Sequence, residues 1–364
     1  MCAFHPTPLL ETNPAASAAR RAVLALLRMG VGVGLLAYLA KFGIIDLHAL
    51  ASLFSAWPIT FGGIALLLID ITFMAFRLSC LFRPHGLHLR LGRSVQLTLV
   101  SFFFSTFLPG AAGGDLAKVF YAAKENTGRR TEIVTVVLFD RAVGLFSLLV
   151  LPLLFAPLFS RLIRAVPTLR ILLVTVGAIA ACMLASFLLC LFHQALVNRF
   201  AVWLLGFLPG KTVSARVLAT IGGYRRSPGS LLLALGASLL ANLTLVGVTA
   251  LAILALNPAW LSTKLCLVVP MGFIANSLPL TPGGLGVGET AFNALFRVTG
   301  LRGGAEALLC WRIWTVLVGL LGLVFYVRGL GRSIFEAGEE TEKCLSGERL
   351  LAQSAAGPIR SGAS

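Results

Sequence analysis

Charge is scarce in this chain. Asp, Glu, Lys and Arg make up 12% of its 364 residues, and only 14 of them are acidic. Soluble domains carry roughly 25% charged residues, so a water-soluble globular fold is excluded. Histidine is as thin: His5, His48, His85, His88 and His193 all fall in tail or loop positions, and no serine or cysteine has an evident base beside it in the pattern. That removes the acid–base and nucleophilic constellations an enzyme needs. The seven cysteines (Cys2, Cys80, Cys182, Cys190, Cys266, Cys310, Cys344) are odd in number, scattered and without CxxC spacing. Most lie in apolar runs, where cysteine behaves as a small hydrophobe, so no disulfide framework and no metal site follows. No cofactor is expected either, and the chain reads as a non-enzyme.

What is abundant is apolar surface. Hydrophobic residues make up 58% of the chain, the composition of a polytopic membrane protein. A spanning helix needs about 20 mainly apolar residues, which predicts six full spans at about Ala22–Ala40, Ile59–Cys80, Ile133–Ala156, Ile171–Phe192, Ser230–Leu256 and Ala305–Gly329. No small-residue cleavage site ends the run after Arg20-Arg21, so it is read as a retained span. The less apolar stretch from His193 to Arg226 reads as an interfacial helix plus a loop.

The 30 Lys+Arg outnumber the 14 acids by 16 and cluster in the short loops between spans. That is the positive-inside pattern rather than a nucleic-acid interface. It puts both termini in the cytoplasm of a multi-pass protein of the bacterial inner membrane, although Arg161, Arg164 and Arg170 fall on the outer side. Residues 1–21 form a cytoplasmic segment, 22–329 the membrane domain and 330–364 a polar tail.

Two further apolar segments, about Val95–Tyr121 and Ser262–Phe296, are interrupted by helix breakers. One carries Leu108, Pro109, Gly113 and Gly114; the other carries Leu278, Pro279, Pro282, Gly283, Gly284 and then Gly286. Both read Leu-Pro, three residues, Gly-Gly, and the prolines are 170 residues apart (279 − 109). Proline lacks the donor N–H and glycine is entropically costly in a helix. Backbone freed in a bilayer is tolerated only where protein buries it or a polar cavity receives it. A matched pair of such breaks marks the binding site of many transporters. The order span, span, broken segment, span occurs twice, over about 22–156 and 171–329. If each broken segment returns to its own side, each half crosses three times and the two halves are inverted; if it crosses fully, the inversion disappears. The predicted fold is therefore all-α, with six spans and two broken or re-entrant segments in two inverted pseudo-repeats.

A charged side chain at a helix centre costs about 2.5–3.5 kcal/mol on insertion scales, so each needs a partner or a purpose. The candidates for substrate binding are Asp70, Asp115, Lys118, Asp140, Arg141, Glu289 and Arg312. Asp115 is either an N-cap after Gly114 or a ligand for a cationic headgroup. Lys118, one turn on, is its i+3 partner or a phosphate ligand. Asp140 and Arg141 point about 100° apart on a helix, so each reaches a different neighbour. Arg141 is the strongest phosphate candidate, since a guanidinium binds phosphate bidentately and stays charged when buried; alternatively it pairs with Asp70 or Asp115. Glu289 follows glycine-rich backbone whose N–H groups suit close approach to a ligand. Asp70 and Arg77 lie seven residues apart on one helix face, so either they line the same cavity or, the reading favoured here, Arg77 sits at the interface. The glycine run before Glu289 follows no strand, which rules out a dinucleotide fingerprint.

Three ordered motifs carry a resemblance: Phe107-Leu-Pro-Gly-Ala-Ala-Gly-Gly-Asp115, Asp140-Arg141, and Pro282-Gly-Gly-Leu-Gly-Val-Gly-Glu289. Over about Ala22 to Gly329 the chain resembles the flippase-like transmembrane family, which includes the membrane region of lysylphosphatidylglycerol synthases. The resemblance implies two pseudo-symmetric halves with re-entrant segments, membrane lipids as partners, and movement of polar-headgroup lipids between leaflets without ATP hydrolysis. Lys118 stands where members often carry arginine, which puts bidentate phosphate binding there in doubt. The aminoacyl-transferase domain of the synthases is not in the sequence, so the resemblance does not imply synthesis of lysyl-lipid. The alternative is a non-transporting scaffold for a lipid-modifying enzyme, recruited by the basic loops and by Glu336, Glu339, Glu340 and Glu342.

Overall fold

The computed structural model describes residues 56–87, 89–107, 113–126, 128–192, 220–278, 281 and 284–326. The predicted span Ala22–Ala40, residues 193–219, the tail, and Pro109, Pro279, Pro282 and Gly283 lie outside them. Every regular element among the described residues is helical. In order they are α1 (Trp57–Phe82), α2 (Leu91–Phe107), α3 (Gly113–Glu125), α4 (Arg130–Phe155), the short α5 (Ser160–Ala165), α6 (Pro167–Phe192), α7 (Pro228–Leu256), α8 (Leu265–Asn276) and α9 (Val287–Val298). The last is α10 (Gly304–Tyr326).

Five of these are long and apolar enough to cross a membrane: α1, the α4–α5 stretch, α6, α7 and α10. They coincide with the five predicted spans that fall within the described residues. Proline sits in the first turn of α1 and α7, where its missing N–H costs nothing. Of these five, α7 is the most enclosed and α6 the most peripheral. The buried side of α7 is made of small residues, among them Ala234, Ala237, Ser238, Ala241 and Ala252, which let neighbouring backbones approach closely.

The two broken segments are helical hairpins. At 1.5 Å per residue, the 12 residues of α8 or of α9 reach about 18 Å, well short of a hydrocarbon core of roughly 30 Å. In the first hairpin Gly114 of α3 lies directly against Ser101 and Ser105 of α2. In the second, Gly288 of α9 faces Asn276 of α8, and Gly272 faces Phe292. Each pair of helices therefore runs antiparallel from its break.

Where the hairpins enter decides the topology. The end of α1, the start of α2, Ala122 of α3, the start of α4, Tyr224 and the start of α7 share one apolar cluster (Leu81, Phe82, Leu97, Ala122, Ile133, Tyr224, Ala234). Both ends of the α2–α3 hairpin thus lie at one face of the molecule, here the first face. At the opposite, second face the Lys264 ammonium before α8 donates to the Thr299 carbonyl after α9 at 2.9 Å, tying the two ends of the other hairpin together. Gly303 packs there on Trp260 and Ile253. Each hairpin returns to the face it came from, and the two come from opposite faces.

The corresponding spans agree. Gly62 meets Leu251, Leu66 meets Gly247, Asp70 meets Thr244 and Arg77 meets Ser238. Positions rise along α1 as they fall along α7, so these two helices, equivalent in the repeat, are antiparallel. The halves are inverted.

Candidate functional site

The sequence gives each half an acid just after its break and an arginine in its next span, and the fold joins them. Asp115, in the first turn of α3, forms an ion pair through Oδ2 with Arg141 Nη1 of α4. Glu289, in the first turn of α9, takes Arg312 Nε of α10 on Oε1 at 2.6 Å. Counting 1.5 Å per residue, Arg141 lies roughly 16 Å along α4 from the first face and Arg312 roughly 12 Å along α10 from the second. Both pairs sit deep, at the hairpin tips.

The two tips differ in finish. Glu289 is fully buried; its second oxygen accepts the Gly286 N–H at 2.6 Å, and Arg312 Nη2 donates to Asn276 Oδ1 at 2.8 Å. Gly286 (φ +80°) and Gly284 (φ +71°) turn the chain in the left-handed region glycine tolerates. Side chains on Gly284 or Gly288 would strike Asn276. The Gly286 N–H expected to face a ligand is therefore taken by Glu289 itself, because a helix-start carboxylate captures the nearest free donor. The first tip is more open: the Asp115 and Arg141 side chains are 24% and 36% exposed.

Beside the first tip lies a buried charged group. Asp140 accepts from Arg77 Nε on Oδ1 at 2.6 Å and from Nη2 on Oδ2 at 3.2 Å, and the Lys118 ammonium is 3.6 Å from that same Oδ2. Lys118 therefore serves Asp140 rather than its i+3 neighbour Asp115: both side chains project from α3 onto α4, where the adjacent residues Asp140 and Arg141 take Lys118 and Asp115 respectively. Arg77 is likewise not interfacial. It is 7% exposed, because side chains of α1 lean back toward the helix start and so into the molecule. Its Nη1 donates to Ser238 Oγ at 3.0 Å; Ser238 and Ser147 hydroxyls are 2.5 Å apart, and Asn242 Nδ2 donates to Ser147 at 2.7 Å. This polar file joins α1, α4 and α7, with two cations, Arg77 and Lys118, on the one carboxylate of Asp140.

Sequence reading missed Asn242, Asn276, Ser147 and Ser238 as members, and it favoured an interfacial Arg77 although the spacing of seven from Asp70 already put both on one helix face. Asp70 stands apart, 1% exposed, with Thr244 Oγ1 3.3 Å from its Oδ1. Between the first hairpin and α10, Arg93, Gln96, Tyr121 and Tyr326 line a cleft into which the buried Tyr121 hydroxyl brings a polar atom without a hydrogen-bond partner. Among the described residues no group of three or more acid, histidine or cysteine side chains is placed to hold a metal.

Apolar spans around two opposed hairpins, each with an acid–arginine pair at its tip, define an all-α multi-pass membrane protein with inverted repeats. The chain belongs to the family described as the lysylphosphatidylglycerol synthase TM region, whose model matches residues 24–322. Comparison with curated proteins gives no match, and neither does comparison with solved structures. The membership makes this a membrane protein of a lipid-related family.

Proposed function

We propose that the protein moves a polar or charged-headgroup lipid between leaflets without ATP hydrolysis, and that it does not itself modify the lipid. The observation that carries this reading is the pair of re-entrant hairpins entering from opposite faces, each bringing a carboxylate and an arginine deep into the membrane. A headgroup is costly to bring into hydrocarbon, and charges of both signs at depth lower that cost while the acyl tails stay in lipid. In this reading the headgroup approaches from the first face through the cleft beside Tyr121 and exchanges with the Asp115–Arg141 pair. The second tip, with Glu289 buried and capped, is the closed side of the same pathway.

The first face carries Arg83, Arg90, Arg93, Arg129, Arg130, Arg225 and Arg226, which supports a cytoplasmic assignment in a bacterial inner membrane with both termini inside. Reconstitution tests the function. Vesicles containing labelled phosphatidylglycerol or labelled lysyl-phosphatidylglycerol are assayed for protein-dependent exposure of the label to an impermeant quencher. The wild type accelerates exposure of one of the two, and Asp115→Ala and Arg141→Ala slow it at least tenfold. Variants as fast as wild type overturn the site assignment, and no acceleration of either lipid overturns the function. In that case a scaffold that recruits a lipid-modifying enzyme is the reading left standing.

A further inference from the structure

Asp70 takes no part in the tip pairs or in the polar file, and its surroundings give it another task. It lies midway along α1, at the crossing of the two antiparallel equivalent helices, with 1% of its surface exposed. Among the described residues its hydrogen-bond partner is Thr244 Oγ1, at 3.3 Å. A threonine hydroxyl has one proton to give. That of Thr244 is closer to the Ala241 carbonyl, at 2.7 Å. With the proton committed there, the Thr244 oxygen turns lone pairs toward Asp70, and a carboxylate facing them would be repelled. The contact is satisfied when Asp70 itself carries a proton and donates it to Thr244.

The charges around Asp70 are engaged elsewhere. On α1 the other charged residue is Arg77, two turns away, bound to Asp140 and Ser238. From α4 come Asp140 and Arg141, held by Arg77 with Lys118 and by Asp115. From α10 come Glu306, Cys310 and Arg312, the last held by Glu289. From α2 comes Arg93, bonded to Gln96. α7, the partner across the crossing, contains no titratable residue. A carboxyl group kept neutral at the centre of a membrane is built to exchange a proton rather than to hold an ion.

We propose that Asp70 is the proton site of a proton-coupled cycle. It is protonated in the arrangement described here. When the α1–α7 crossing shifts, the Asp70 O–H to Thr244 bond breaks and the proton passes to water on the face then open. The carboxylate left behind is balanced by the surplus positive charge of the neighbouring cluster, where Arg77 and Lys118 share the one carboxylate of Asp140. The inference rests on the lipid-translocation reading, and the two fail in different ways. Asp70→Asn separates them, since an amide N–H makes the same bond to Thr244 without a proton to exchange.

The measurement uses vesicles of phosphatidylcholine with labelled phosphatidylglycerol and, in parallel, with labelled lysyl-phosphatidylglycerol, with the membrane potential clamped and a gradient of one pH unit imposed. One proton per lipid supports a transbilayer ratio of up to about tenfold at that gradient. The wild type builds a several-fold ratio, and Asp70→Asn equilibrates the lipid to a ratio of one. A wild type indifferent to the gradient, or a variant that still follows it, overturns the coupling; a wild type that moves no lipid overturns the translocation reading and the coupling with it. Infrared difference spectra check the site without transport. The carbonyl band of a neutral carboxylic acid is present at neutral pH, is lost in Asp70→Asn and shifts in Thr244→Val. Absence of that band in the wild type, or its persistence unshifted in both variants, overturns the protonated site.

Discussion

Asp140 is the residue whose neighbours matter most to stability. It is 2% exposed and held by two cations from different helices, Arg77 and Lys118. Removing one partner of a buried ion pair leaves an uncompensated charge and costs about 3–5 kcal/mol, whereas removing both partners is far milder. Arg77→Leu, which leaves Lys118 as the one cation on Asp140, is therefore expected to lower the thermal stability of the purified protein by up to about that amount, and Arg77→Leu/Asp140→Leu to recover part of it, Lys118 then being the charge left over. Thermal unfolding of both variants in the same detergent checks this; equal loss in single and double variants would show that Arg77 contributes packing and not charge. The same residues mark the limit of what sequence discloses. Asp140 and Arg141 declare themselves as charges in an apolar run, and their adjacency already demands two different partners. Which partners is settled only by helix packing: Lys118 looks like a neighbour of Asp115 along α3, yet its ammonium lies 3.6 Å from Asp140 of α4. Ser147 and Ser238 give no signal at all, because a serine in a membrane helix normally bonds its own backbone.

At the scale of elements, the breaks were legible and the seating of the helices was not. Leu-Pro followed by a glycine pair within an apolar run announces a break, since proline lacks the donor N–H and glycine is entropically costly in a helix. Nothing in Gly322, by contrast, distinguishes it from Gly236 in the sequence. In the fold, a Cβ on Gly322 of α10 would fall onto the Leu99 backbone of α2, while one on Gly236 of α7 would meet nothing within 4 Å. Backbone cannot step aside as a side-chain end can. Gly322→Val is therefore expected to push α10 off the first hairpin, with a loss on the scale of core overpacking, about 1–3 kcal/mol. Gly236→Ala is expected to be neutral or to gain up to about 1 kcal/mol from helix propensity. Thermal unfolding ranks the two, and an equal effect would mean that α10 and α2 are not in contact. Gly322 ties the second half to the hairpin of the first, so lipid movement is expected to fall with Gly322→Val and to persist with Gly236→Ala.

At the scale of the whole molecule, inversion turns on a parity that composition cannot reveal. A hairpin and a full crossing use the same residues, and sequence left both open. Contacts at the two faces resolve it: the ends of α2 and α3 meet in one apolar cluster, and Lys264 ties the start of α8 to the end of α9. Sidedness follows directly. Arg90 and Gly128 flank the first hairpin, Leu261 and Arg302 flank the second, and all four are exposed. Single cysteines at these positions, in a background without the native ones, are probed with an impermeant maleimide in intact cells and in inverted vesicles. Positions 90 and 128 are expected to label together in inverted vesicles, and 261 and 302 together in intact cells. If 90 and 128 label from opposite sides, the first hairpin crosses the membrane, the first half contains an even number of crossings and the second half starts on the same side as the first. Asp115 and Glu289 would then no longer approach the membrane centre from opposite faces, and alternating access between the two tips would lose its geometric basis. If all four label from one side, the second hairpin alone is misplaced and the inversion fails with it. The expected pattern leaves two acid–arginine pairs buried from opposite sides, with the neutral carboxyl of Asp70 at the helix crossing between the halves.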